Sequence, residues 1–126
     1  MPNRKAILVV GQNLFFLPRI QNVAGPSGYE VRLTDSAPTF WNLYDEGEVA
    51  LVLVDLEGDK NTWASVIRGL RERASPVSRV VAFGPHADAA TLEVARELGC
   101  DAVLTKGEFS DALRKIVETE GAEVKA

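Results

Sequence analysis

The stretch Val49–Asp59, VALVLVDLEGD, decides the fold: six consecutive apolar residues run directly into an acid, Asp55, and then into the turn residue Gly58. An apolar run without alternation suits a strand covered on both faces, which is the habit of a parallel sheet. Three shorter runs of the same kind follow the same logic: Ala6–Val10, Val80–Phe83 and Ala102–Leu104. Tyr29–Leu33 instead alternates apolar and charged residues (YEVRL), as a half-exposed edge strand does.

Helical patterns lie between these strands. Leu14–Val23 places Phe16, Ile20 and Val23 on one face, and Pro18 inside it predicts a late start or a kink. The GPSG of residues 25–28 turns the chain into the edge strand. Ser36 with Pro38 opens a second helix that runs to Gly47. A third covers about residues 61–73 with Trp63, Ile67 and Leu70 on one face, and a fourth runs from Asp88 to Gly99, a good N-cap and a good C-cap. The last spans about Phe109–Val117, and residues 119–126 are expected to form a frayed tail on a single domain covering residues 1–126.

Five strand–helix units in succession predict a doubly wound α/β three-layer sandwich. With the weak strand second in sequence, the expected order of the five-stranded parallel sheet is 2-1-3-4-5. Chemistry in such a sheet belongs at the carboxyl ends of strands one and three, where the order reverses. Gln12, Asn13 and Asp55 fall there.

Bulk composition narrows the choice of function. With 126 residues, 46% hydrophobic and 25% charged, the chain is an ordinary globular domain. A net charge of −4 argues against nucleic acid as the main partner. The longest apolar run is far short of a membrane span. Cys100 and His86 are the only residues of their kinds, so neither an internal disulfide nor a zinc site is expected. The N-terminal Met-Pro-Asn-Arg-Lys carries no apolar leader, and the expected location is the cytoplasm.

Asp55 after strand three and Lys106 after strand five (VLTKG) converge at one sheet edge. Together with Gly99 and the Leu70–Arg71 spacing, the pair resembles the receiver domains of bacterial response regulators, of the chemotaxis type, over roughly residues 5 to 118. The resemblance implies a flavodoxin-like (βα)5 fold, Asp55 as the candidate phosphoacceptor and Lys106 as the candidate phosphoryl contact. It also implies an acidic pair holding Mg²⁺, but Gln12 and Asn13 stand in that place. The hydroxyl of the family's switch falls on Gly84, its aromatic on Val103, and the proline after the lysine on Gly107.

These departures read as a degenerate site. One lost carboxylate removes ~4 kcal/mol of attraction at about 4 Å and an effective dielectric near 20. Even half of that, ~2 kcal/mol, weakens binding more than tenfold. Mg²⁺ binding is therefore expected to be weak or absent, and no other cofactor is implied.

The remaining residues have simpler readings. Asp55 and Lys106 also suit a plain salt bridge, and Gln12 and Asn13 suit helix capping. His86, in the loop FGPHAD, neighbours the site and reads as a structural loop residue. Cys100 reads as a small buried side chain, and Asp45, Glu46, Glu48, Glu57 and Asp59 as solvated loop ends. Trp41, Trp63, Phe15 and Tyr44 read as helix faces packed on the sheet.

The expected function is that of a stand-alone, non-enzymatic pseudo-receiver of two-component type, working through phosphorylation-independent contact with another signalling protein. A histidine kinase or an effector would dock on residues 88–117, or a second copy would, as a homodimer. The alternative is a response regulator phosphorylated on Asp55 with weakly held Mg²⁺.

Overall fold

The computed structural model describes residues 4–12, 15–73 and 78–124. Strands and helices alternate as β1 (Ala6–Val10), α1 (Leu17–Ala24), β2 (Glu30–Thr34), α2 (Ala37–Glu46), β3 (Val49–Asp55), α3 (Lys60–Arg71), β4 (Arg79–Gly84), α4 (Ala89–Glu97), β5 (Ala102–Thr105) and α5 (Lys106–Glu118). Every strand pairing is parallel and the order is β2-β1-β3-β4-β5, the doubly wound, flavodoxin-like arrangement that the apolar runs predict.

Successive strand residues point to opposite faces, and the core divides accordingly. Ile7, Val9, Leu51, Leu53 and Phe83 meet Ile20 of α1 and Phe109 and Leu113 of α5. Leu8, Val10, Val52, Val54 and Ala82 meet Phe40 of α2, Trp63 and Ile67 of α3, and Leu92 of α4. Burying each such side chain contributes about 1.5–3 kcal/mol. The edge strand β2 carries exposed Glu30 and Arg32, which pair with each other at 2.9 Å and blunt edge-to-edge association.

Helix ends follow their capping residues. Pro18 sits in the first turn of α1, where its missing N–H costs nothing, so the helix starts late and is not kinked. The expected start at Leu14 lies outside the described residues. Asp59 caps α3 by accepting the Thr62 N–H at 2.9 Å, and Asp88 caps α4 by accepting that of Thr91 at 3.2 Å. Gly99, with φ 98°, lets the chain leave α4 toward β5. Helix α5 begins at Lys106 and not at Phe109, because Thr105 and Glu108 form a capping box: Thr105 Oγ accepts the Glu108 N–H at 3.1 Å and Glu108 Oε1 accepts the Thr105 N–H at 2.8 Å.

The frayed tail expected from residue 119 is instead docked as far as Val124, and residues 125–126 lie outside the described ones. The Gly121 N–H donates to the Ile116 carbonyl at 2.9 Å with φ 82°, closing the end of α5 in the manner of a C-terminal glycine. The Tyr29 hydroxyl donates to Glu120 at 2.7 Å, Lys5 pairs with Glu120 at 3.6 Å, and Val124 packs on the α1/α5 side of the core. Burial, followed by the Glu120 carboxylate, pushes the Tyr29 hydroxyl up to about 12. Among the described residues no helix is long and apolar enough to cross a membrane.

Candidate functional site

Strand β3 delivers Asp55 to the carboxyl edge of the sheet, where it is 4% exposed. The chain turns immediately: the Gly58 N–H donates to the Asp55 carbonyl at 3.1 Å, and the Glu57 N–H donates to Asp55 Oδ1 at 2.9 Å. Two glycines let the neighbouring loops close over the acid. A Cβ on Gly11 would stand 3.0 Å from Asp55 Cβ, and one on Gly58 would stand 3.4 Å from Gly11 Cα. Burial pushes the Asp55 carboxyl above its usual range. The Glu57 N–H acts against that shift, the Glu57 charge adds to it, and the Lys106 charge opposes it least strongly.

Lys106 reaches the same edge as the first residue of α5, but it does not pair with Asp55. Its Nζ contacts Glu57 Oε1, and both side chains remain about one-third exposed. Glu57 is thus corrected from a solvated loop end to the direct partner of the lysine. The reason is local: the turn that hydrogen-bonds Asp55 also carries the side chain two residues on toward α5. Sequence reasoning missed it because the two residues are far apart in the chain. The other acids grouped with it behave differently, with Asp59 capping α3 and Asp45 pairing with Arg73 at 3.0 Å.

The remaining sequence candidates fall into place as follows. Gln12 follows β1 and is exposed, while Asn13 lies outside the described residues. Gly84 ends β4 in a buried position, where a Cβ would come within 3.3 Å of Leu56 Cβ and 3.6 Å of Leu92 Cδ2. A hydroxyl side chain there would have to push Leu56 aside. Val103 is 1% exposed and belongs to the core on the α2/α3/α4 side. Gly107 lies in the first turn of α5 with open space around it. His86 is exposed in the turn before α4 and makes no ion pair among the described residues.

An aromatic cluster underlies the site and was not legible as such in the sequence. Phe83, the β4 partner of Asp55 in the sheet register, stacks on Phe109 with centroids 4.0 Å apart and planes 12° apart. Phe16 packs edge-on to both, at 5.3 and 5.6 Å, and Phe15 packs on Phe16 at 5.1 Å while staying 76% exposed. The segment after β1, the end of β4 and the start of α5 therefore share one apolar support. Trp63 is buried, whereas Trp41 and Tyr44 are half-buried beneath Arg73, whose guanidinium lies 4.4 Å from the Trp41 ring. Cys100, read from sequence as a buried side chain, is only partly buried against the α2/α3/α4 side of the core, and burial pushes its thiol up to about 12, against the opposing Arg71 charge.

As a donor set, the edge offers one buried carboxylate, an exposed amide and a glutamate already engaged by a lysine. No three His, Cys, Asp or Glu residues converge to hold a metal ion among the described residues. Mg²⁺ is normally held by carboxylates and phosphate oxygens, and of the carboxylates described here Asp55 is buried and Glu57 is engaged by Lys106.

No protein-family model matches the chain, and no curated protein sequence matches it. Solved structures do. The receiver domain of the TMAO respiratory system response regulator TorR is 22% identical over 91% of this chain and 95% of its own, with a TM-score of 0.75. The receiver domain of NtrX from Brucella abortus is 19% identical over 94% of this chain and 99% of its own, with a TM-score of 0.74. The receiver domain of a sensor histidine kinase from Pseudomonas aeruginosa, solved with a magnesium ion coordinated in its active-site cleft, is 18% identical over 96% of this chain and 100% of its own, with a TM-score of 0.75. At these identities the likeness establishes the shared fold.

Proposed function

We propose that this chain is a receiver-like signalling module that binds another protein without phosphorylation of Asp55. The observation that carries the reading is the pairing of Lys106 with Glu57 beside a buried Asp55. Phosphoryl transfer depends on positioning and charge neutralisation, and here the cation suited to neutralising a phosphoryl group is already neutralised. The amide at Gln12, in place of an acid, supports the same reading, since Mg²⁺ binding would be weak. Gly84 and Val103 lack the hydroxyl and the aromatic ring that would relay a modification. The module is non-enzymatic and cytoplasmic in this reading, and its output is protein contact.

Residues 88–117 form the partner face, and the partner is a histidine kinase, an effector or a second copy of the chain. The alternative, a response regulator phosphorylated on Asp55, draws on one observation: Asp55 and Lys106 still stand at the same sheet edge. Binding of Asp55→Asn to a captured partner separates the two. The proposal expects an affinity within about threefold of the natural chain, a change of less than ~1 kcal/mol. A loss beyond about tenfold would favour the alternative.

A further inference from the structure

At the carboxyl edge the Lys106 ammonium meets an acid that nothing in the sequence marked for it, Glu57. Both are held before they meet. The Glu57 backbone is fixed by its N–H bond to Asp55 at 2.9 Å and by the Gly58 turn at 3.1 Å. Lys106 is fixed by the Thr105–Glu108 capping box, which sets the first turn of α5. Both backbones are thus set before the side chains meet.

The start of α5 is closed by its own acid, Glu108, while Glu57 contacts the Lys106 ammonium. Because Glu57 is tethered, it competes with any free anion at an effective concentration of about millimolar or above.

We propose that Glu57 is a tethered anion: it fills, from within the chain, the place at Lys106 that an external oxyanion would otherwise take. An inorganic phosphate, or a phosphoryl group carried on Asp55, would have to displace it first. Lys106 is thereby kept paired with an anion with no modification. This deepens the proposed function and rests on it for the signalling consequence, though not for the chemistry.

The test is an amide NMR titration with inorganic phosphate, against sodium chloride at equal ionic strength. It compares the natural chain, Glu57→Ala, Glu57→Gln and the double variant Glu57→Ala/Lys106→Met. The expected result is a saturable shift of the Lys106–Phe109 amides in both single variants, about threefold or more tighter than any response of the natural chain. The double variant should not respond. Equal responses in the natural chain and Glu57→Gln would overturn the proposal, as would silence in both single variants. Neither outcome involves a partner, so the binding reading stands or falls separately on Asp55→Asn.

Discussion

Replacing Phe109 by Ala should cost more stability than any other single change at the site. The ring is fully buried, stacks on Phe83 at 4.0 Å and receives the edge of Phe16 at 5.6 Å. Phe→Ala in a core costs about 3–5 kcal/mol through lost transfer energy and the cavity left behind. Two aromatic contacts, each worth about 0.5–1.5 kcal/mol, place this site in the upper part of that range. Phe83 and Phe16 also line the space, so little backbone can collapse into it, and a loss of about 4–5 kcal/mol is expected. That is a large part of a total stability of about 5–15 kcal/mol.

Urea unfolding followed by the fluorescence of buried Trp63 reads the loss directly. Phe15→Ala is the control, because that ring is 76% exposed, and it should cost about 1 kcal/mol or less. A Phe109→Ala loss below about 2 kcal/mol, or a similar loss for Phe15→Ala, would refute the idea that the aromatic cluster supports this sheet edge.

Three further changes test other parts of the account. Because the folded Asp55 carboxyl lies above its usual 3.8, the folded chain holds that proton more tightly than the unfolded one. Stability should thus fall as pH rises from about 3.8 through the raised value. Asp55→Asn should be more stable than the natural chain at pH 7 and lose that advantage below the window; a pH-independent difference in thermal melts would contradict this. Gly69→Ala should destabilise by about 1–3 kcal/mol despite better helix propensity, since its Cβ would stand 2.5 Å from Trp41 Cζ2, and a gain in denaturant midpoint would contradict that. Thr105→Ala should cost ~1 kcal/mol and increase hydrogen exchange of the Lys106–Glu108 amides; unchanged exchange would mean the cap does not hold the lysine.

The central strands were legible because their apolar runs are short, rich in β-branched residues and alternate with helical patterns, as a covered parallel sheet requires. Asp55 was legible for the same reason, as the first polar residue after the longest run. The start of α5 was placed too late at Phe109, although TKGE at residues 105–108 carries the spacing of a capping box. The docked tail was likewise signalled by Gly121, a glycine just past the last helix, whose positive φ turns the chain back onto Leu51. The Glu57–Lys106 pair left no local trace. Its members meet only because the β3 turn and the α5 cap bring them together, and no periodicity records that meeting. The crowding of Gly84 by Leu56 is equally a matter of tertiary packing.

The most direct test of phosphorylation-independent action is an amide NMR titration of the natural chain with Mg²⁺ and then beryllofluoride, a phosphoryl mimic. The account predicts no saturable shift at Gln12, Asp55 or Gly84 and none across residues 88–117. Saturable shifts at those three positions that spread into residues 88–117 would contradict it and make Asp55 a working phosphoacceptor.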